Sequence, residues 1–433
     1  MVDSATQRFA RLEARFASVL RHPVCQELRR TLGQRPCHLV GGALRDTALG
    51  RPFRDLDAVV AGGGAEVADG LAARLGCRSI KVGGHRFAAY RVTRQGFPID
   101  IWDRGTVSLE ADLRRRDFTI HSFALDLHSG ALRDPFSGLQ DLLLGKLRMT
   151  SAEAFADDPL RVMRLCRFAS QLVDFHTDPA TRARARDSAA DLVGVAKERI
   201  RTEIEETLAQ TGAAIAAELW IDLRVFPEAL LHYSLEPPAR HSLAVELLRS
   251  WRVLERTAAD LPLASDLTSA RTALLLLQLN AVASLDSASA LETLRQRNLV
   301  TKARSQQVFR LLEAARLPAG ESQQRWYLHR LGDLWPAAVS LSDALVDQET
   351  DVEHRSARIA QVIALATQKS HEIFDPPGLI SGEDLQRHLA IEPGPALGRL
   401  LGLVRRRQIE GTITTRAGAL AAAARLYAAN GQD

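Results

Sequence analysis

The chain has 433 residues, 46% hydrophobic and 25% charged, an ordinary balance for folded protein and a length beyond one usual hydrophobic core, so two to four domains are expected. No apolar run approaches the ~18 residues that cross a bilayer, and the four scattered cysteines, Cys25, Cys37, Cys77 and Cys166, form no CxxC pair, which argues against a disulfide framework or a zinc site. The net charge is only +4, but arginine greatly outnumbers lysine, which suits phosphate contact without establishing a nucleic-acid partner.

Residues 1–33 read as an amphipathic helical extension without the basic-then-apolar order of a signal peptide, so a cytoplasmic protein with no membrane partner is expected. The apolar run Cys37 to Val40 reads as a strand that enters a tight turn at Gly41-Gly42. Arg54 to Val60 reads as a second strand and Gly64 to Leu75 as a helix. Strand-like stretches follow at Arg78 to Val82, Arg86 to Thr93 and Phe97 to Trp102. From residue 108 onward the apolar spacing is helical, apart from a polar, hairpin-like interval at Arg133 to Leu147. The composition loosens again at Asp375-Pro376-Pro377-Gly378, which sets off a final helical unit. No period of 20 to 50 residues repeats.

Asp55-Leu56-Asp57 falls in the second strand, where alternation points both carboxylates the same way and Leu56 the other. Paired acids on a rigid strand can hold Mg²⁺, which phosphoryl transfer needs to offset triphosphate charge and to activate an attacking hydroxyl. Gly41-Gly42 lets backbone approach phosphate, and Arg45 and Asp46 follow about one helical turn later. Asp158 and Arg161 are three apart, a spacing that shares a helix face. A carboxylate accepts from the exocyclic amine common to cytosine and adenine while a guanidinium donates to a ring acceptor, so such a pair imitates a base-pairing edge.

GGALRD, eight residues, then DLD resembles the signature of the polymerase-beta-like nucleotidyltransferases. Arg115-Arg116-Asp117-Phe118-Thr119 resembles the RRDFT motif, and Asp157-Asp158-Pro159-Leu160-Arg161 the EDxxR motif, of the bacterial class II tRNA nucleotidyltransferase and poly(A) polymerase family. Arg164 and Arg167 continue a DPLRxxRxxRFA run. Asp134-Pro135-Phe136-Ser137-Gly138 with Asp141-Leu142 resembles the family's DPFGGxxDL element, expected as a hinge or packing device. The tail, with Ser381-Gly382-Glu383-Asp384-Leu385, resembles that of the same enzymes.

The resemblance implies an α+β fold: a polymerase-beta-like nucleotidyltransferase head with a mixed sheet of about five strands, followed by an elongated, all-helical neck, body and tail. The implied divisions are a helical extension over 1–33, a head over 34–150, a neck with the base-selecting motif over 151–220, a body over 221–375 and an RNA-binding tail over 376–433. It implies Asp55 and Asp57 as catalytic ligands of two Mg²⁺, with Asp100 as a third catalytic carboxylate and Asp103 as the alternative. Gly41, Gly42, Arg45, Asp46, Arg115, Arg116, Asp117, Asp158, Arg161, Arg164 and Arg167 form the implied nucleotide site, with Asp117 contacting ribose. Substrates are CTP, with ATP as a further one, and the 3′ end of tRNA, gripped at acceptor arm and elbow, or of another RNA. The sequence leaves monomer or homodimer open.

Three departures bear on function. Only Ile101 to Arg114, 14 residues, separate Asp100 from the RRDFT motif, where relatives that complete CCA carry a longer loop, so the chain resembles the CC-adding branch; full CCA addition and poly(A) or other tailing remain the alternatives. His121 stands where the motif has Asn, and Asp157 where it has Glu, which is expected to alter hydrogen bonding and the orientation of Arg161. The His-Asp pair of the phosphohydrolase module found in longer relatives is replaced by Ala273 to Leu279, and His241 reads as an ordinary histidine, so no hydrolase activity is expected.

Overall fold

The computed structural model describes residues 5–82, 88–261, 266–345 and 352–430, which fall into two compact units. The first runs to Val195 and takes in Leu223–Val225. The second is built from Ala196–Asp222 and the chain from Phe226 onward.

In the first unit, α1 (Ala5–Leu20) and α2 (Pro23–Leu32) precede a seven-stranded sheet. Its strands are β1 (Cys37–Val40), β2 (Leu56–Val60), β3 (Ser79–Val82), β4 (Ala88–Arg94), β5 (Phe97–Asp103), β6 (Ala124–Asp126) and β7 (Leu132–Arg133), in the order β3-β4-β5-β2-β1-β6-β7. The pairings are antiparallel except that of β2 with β5. The five strands expected from the sequence are present. Arg86 and Phe87, expected at the start of the fourth, lie outside the described residues, as do Met1 to Ser4 of the extension. The two further strands, β6 and β7, are too short to carry an alternating pattern of their own.

Chain order places α3 (Gly42–Ala48) between β1 and β2, α4 (Gly64–Leu75) between β2 and β3, and α5 (Leu109–Arg114) after β5. β2 belongs at the centre because Leu56, Ala58, Val59 and Val60 are all buried, as the interior of a mixed sheet requires. A 3₁₀ turn at Thr119–His121, α6 (Gly138–Leu143), α7 (Ala154–Asp157), α8 (Leu160–Gln171), α9 (Pro179–Asp187) and a 3₁₀ helix at Ala189–Gly194 complete the unit, with β8 (Lys146–Leu147) pairing parallel to β9 (His176–Thr177). Cys25, Cys37 and Cys166 are buried thiols and Cys77 a half-buried one, none of them in a disulfide among the described residues. Burial pushes the Cys25 thiol up to about 12, which leaves it unreactive.

Among the described residues the second unit is built of helices without strands. It opens with α10 (Lys197–Leu208) and α11 (Ala213–Asp222), then α12 (Pro237–Ala259), α13 (Leu267–Ala283), α14 (Ser287–Gln296) and α15 (Lys302–Glu313). The helices α16 (Glu321–Leu331), α17 (Trp335–Leu345), α18 (Val352–Gln368) and α19 (Ser370–Ile373) follow. The last three are α20 (Gly382–Leu389), α21 (Pro395–Ile409) and α22 (Arg416–Asn430). α12 packs on α11, α13 and α17 around the buried Trp251 and Trp335. Within α13 the expected leucine run is core: Leu274, Leu276 and Leu279 are fully buried. Among the described residues no helix is long and apolar enough to cross a membrane.

The final helices share a small apolar core of Leu385, Leu400, Val404, Ala419 and Ala423. α20 starts with a capping box in which Ser381 and Asp384 satisfy each other's backbone amides, so the SGED segment is a helix start. In the Arg405-Arg406-Arg407 run, Arg405 donates to the Pro376 carbonyl and to Gln408, and Arg406 pairs with Glu410 at 2.8 Å. Two of the three guanidinium groups are thus tied into the tail's own structure.

Candidate nucleotide site

Asp55 stands just before β2 and Asp57 is its second residue, so the two carboxylates leave the same face at the strand's mouth. The parallel pairing of β2 with β5 sets Asp57 directly beside Asp100. Asp103 is not part of this group. Its oxygens accept from the backbone amides of Gly62, Gly64 and Gly105, each at 2.9 Å, and these donors hold its carboxyl below the usual range against the effect of burial. Of the two candidates for a third carboxylate, Asp100 has the geometry. It is, however, locked in a bidentate pair with Arg91 across the β4–β5 ladder, both bonds at 2.7 Å.

Burial pushes the carboxyls of both Asp55 and Asp57 upward. Arg45 opposes the shift at Asp55, while Asp46 and Asp100 add to it. At Asp57 the opposing groups are Arg116 and the indole of Trp102, which donates to Oδ1 at 3.1 Å. Sequence reading had not singled out Trp102, although strand alternation puts it on the face of Asp100, two residues earlier.

Gly41 sits at φ +77°, and a Cβ there would stand 2.7 Å from Asp57 Oδ2 and 3.4 Å from Arg116 Nη1. Gly42 is under no such constraint; the nearest atom its Cβ would meet is Arg45 Nη2, at 3.8 Å. Arg45 forms a two-pronged pair with Asp46 at 2.8 and 2.9 Å. Arg115 pairs with Asp112, Arg116 lies 3.7 Å from the same carboxylate, and the buried Nε of Arg116 has no hydrogen-bond partner among the described residues.

The resemblance implied that the Asp117 carboxylate reaches ribose. In the structure it is buried and engaged by four protein donors: the Phe118 amide at 2.8 Å and His121 Nδ1 at 2.9 Å on Oδ1, and Arg164 Nε and Nη2 at 2.8 and 2.7 Å on Oδ2. A carboxylate has about four lone-pair sites, so a ribose hydroxyl would have to displace one of these. Burial disfavours the ionised form, yet Arg164 and His121 hold this carboxyl well below the usual range.

Asp158 and Arg161 do not share a helix face, contrary to the sequence expectation. Asp158 is extended, at φ −150° and ψ 99°, and α8 starts only at Leu160. The reason is Pro159, whose ring disfavours helical backbone at the residue before it. The two residues remain linked through the Asp158 carbonyl, which accepts from the Arg161 amide at 3.0 Å. Arg161 donates to the carbonyls of Ala154, at 2.9 Å, and Arg115, so its guanidinium ties the RRDFT segment to α7.

Phe168, also passed over in the sequence, is buried at a meeting point of cations. Arg167, Arg164 and Arg45 lie 4.5, 5.2 and 5.4 Å from its ring centre, a spacing in the cation–π range. It lies four residues after Arg164 on α8, the helical spacing that could have revealed it. The DPFSG segment acts in packing. Asp134 caps α6 by accepting from the Gly138 and Leu139 amides, and Asp141 accepts from Thr119 Oγ1 at 2.6 Å and Arg148 Nε at 2.7 Å. Those contacts fix the 3₁₀ turn that carries Thr119 and His121.

A mixed sheet with acids at the mouth of adjacent strands, a glycine turn pressed against them and arginines behind defines a nucleotidyltransferase-type head. Residues 37–148 match the poly(A) polymerase head domain. A CC-adding tRNA nucleotidyltransferase of Synechocystis is 40% identical over 172 residues, 39% of this chain and 41% of that protein. A multifunctional CCA protein of Xylella fastidiosa is 40% identical over 192 residues, 41% of this chain and 45% of that protein. Over this head the chain is similar to CC-adding tRNA nucleotidyltransferases and multifunctional CCA proteins. It spans less than half the length of these two curated relatives. The fold extends further: the Bacillus stearothermophilus CCA-adding enzyme solved in complex with CTP aligns with 96% of this chain and 99% of its own at a TM-score of 0.69 and 20% identity.

Proposed function

We propose that the chain is a template-independent tRNA nucleotidyltransferase that adds cytidines from CTP to the 3′ end and releases pyrophosphate. The observation that carries this reading is the placing of Asp55, Asp57 and Asp100 together on two adjacent inner strands, with Gly41 leaving space for Asp57. The crowded carboxylates suit a cation, since burial and mutual repulsion push Asp55 and Asp57 upward. Asp55 and Asp57 would hold Mg²⁺. When bound, the metal offsets triphosphate charge and activates the RNA 3′-hydroxyl for attack on the α-phosphate. Mg²⁺ characteristically completes its shell with water and substrate phosphate, so two carboxylates suffice as protein ligands.

The chain's own residues orient the reactants. Arg116, with its unpartnered Nε, and Arg45 reach the triphosphate, and the Gly41-Gly42 backbone lies beside it. Asp158 and Arg161 read the amine and ring acceptor shared by cytosine and adenine. Arg161 is pre-set for this by its two carbonyl partners. The tail and body hold the acceptor arm and elbow by shape and phosphates.

Arrest after two cytidines is favoured by the short span between sheet and helix: β5 ends at Asp103 and α5 begins at Leu109, with the Ser108 hydroxyl capping it. A pocket that changes from C to A needs a movable element, and this connection has little reach. Full CCA addition is the second reading, favoured by the likeness to proteins named multifunctional CCA proteins. The test is extension of tRNA transcripts ending before CCA, after C and after CC, with CTP, ATP or both, at single-nucleotide resolution. Arrest after CC supports the proposal. Terminal A addition favours the second reading, long tails on unrelated RNA favour a poly(A) polymerase, and no incorporation at all sinks the enzyme reading.

A further inference from the structure

The RRDFT segment runs into His121, a buried histidine where the motif it resembles has Asn. Its two ring nitrogens are both used. Nδ1 lies 2.9 Å from Asp117 Oδ1 and Nε2 lies 2.8 Å from Arg45 Nη1. A guanidinium only donates, so Nε2 must accept and the ring proton must sit on Nδ1, where it is donated to Asp117. The imidazole therefore joins α3, which carries Arg45, to the loop that carries Asp117. Asp117 in turn grips Arg164 of α8 through Oδ2. The Phe168 ring closes the arrangement, 4.5 Å from the imidazole centre, and faces Arg45 and Arg164 as well.

An Asn side chain offers one donor and one acceptor about as far apart as the two ring nitrogens of imidazole. A neutral histidine of this tautomer does the same work, so the departure from the motif preserves its hydrogen-bond logic. The surroundings favour neutrality. Two cations, Arg45 and Arg164, face the ring against one anion, Asp117; Phe118 and Phe168 supply apolar walls. Burial, the largest influence, lowers the imidazole to about 4 despite Asp117. A proton on Nε2 would also point at the Arg45 guanidinium.

We propose that His121 is a positioning residue for nucleotide binding: a neutral imidazole, protonated on Nδ1, that splints Arg45 to Asp117 and through Asp117 sets Arg164. The inference rests on the nucleotidyltransferase reading above. Removing the splint frees Arg45, which meets the triphosphate, and loosens Arg164 of the implied nucleotide site, so it acts on nucleotide affinity. Loss of packing alone would lower the folded, active fraction and with it kcat.

The experiment compares the full chain with His121→Leu and His121→Asn. It measures CTP KM and kcat for tRNA extension, the equilibrium dissociation constant for CTP and thermal melting. For His121→Leu, KM and the dissociation constant rise about tenfold or more while kcat falls less than about threefold; His121→Asn brings KM back to within about threefold of wild type. An unchanged KM with lowered kcat in His121→Leu, or no recovery in His121→Asn, overturns the proposal. Should His121→Leu not fold, ¹⁵N chemical shifts of the wild-type imidazole near pH 6 decide it: Nδ1–H with unprotonated Nε2 is expected, and the opposite tautomer or an imidazolium refutes the splint. A wild type that neither extends RNA nor binds CTP removes the functional reading instead, while the tautomer stays readable.

Discussion

Gly41 and Asp57 occupy adjoining space that closes if residue 41 gains a side chain: the added Cβ would lie 2.7 Å from the carboxylate oxygen, and the φ of +77° is one that L-residues resist. Two costs therefore meet in one substitution. At φ +77° and ψ −145° the backbone is in a region nearly confined to glycine, which costs another residue about 1–3 kcal/mol, and the Asp57 carboxylate must move. Displacing a reacting group by about 1 Å can cost about 100-fold in rate. Gly41→Ala is expected to lower nucleotide incorporation at least about 100-fold, with a stability loss of about 1–3 kcal/mol from the backbone alone. Extension kinetics and urea unfolding check this together. Retained activity would mean that Asp57 does not have to hold its observed place.

The sequence made the head legible because its chemistry is packed into short runs. GGALRD, DLD and RRDFT each place a turn, a strand or a helix start within a few residues, and local rules suffice for them. What escaped was contact at long range. Trp102 bonding to Asp57, Arg91 closing on Asp100 and Phe168 gathering three arginines depend on strand register and helix docking, which a linear pattern does not state. Gly138 makes the same point. A Cβ there would fall 2.0 Å from the Thr119 carbonyl, so the DPFSG element needs glycine for close packing on the 3₁₀ turn. The Asp158–Arg161 pair was misread for a local reason: spacing suggested one helix face, and Pro159 between them sets Asp158 in extended backbone.

In the helical unit the buried guanidinium of Arg271, only 1% exposed, pairs with Glu255 at 2.6 Å and also donates to the Leu208 carbonyl. Burial depresses Arg271, and Glu255 counters it. Deleting one partner of such a pair leaves an uncompensated charge, which costs about 3–5 kcal/mol, whereas replacing both with apolar side chains is often neutral. Glu255→Ala is expected to lose about 3–5 kcal/mol and the Glu255→Met, Arg271→Met double variant far less. Denaturant unfolding of the single and double variants measures both. A double variant as unstable as Glu255→Ala would show that the pair itself, and not the orphaned charge, supplies the stability.

Asp57 is a carboxylate held where its charge is unwelcome, and this gives a signed prediction. Burial is the largest influence and raises its carboxyl; Arg116 and Trp102 oppose, and Asp55 and Asp100 add to the rise. The folded state then holds the Asp57 proton more tightly than the unfolded chain does. Its contribution to metal-free stability therefore grows as pH falls toward the unfolded value of about 3.9 and is lost as pH rises through the higher folded value. At pH 7 the ionised group is a net cost that a bound cation would relieve. Asp57→Asn removes the charge while its carbonyl can still accept from the Trp102 indole. Without metal at pH 7, Asp57→Asn is expected to melt about 2–4 °C above wild type. Mg²⁺ is expected to raise the wild-type melting temperature but not that of Asp57→Asn, and the variant is expected to lose at least about 100-fold in nucleotide incorporation. Differential scanning fluorimetry with and without Mg²⁺, beside extension assays, reads all three. An Asn variant that melts lower than wild type and is still stabilised by Mg²⁺ would place the ion elsewhere and make Asp57 a structural acid, because a ligand that is gone cannot contribute to the shift.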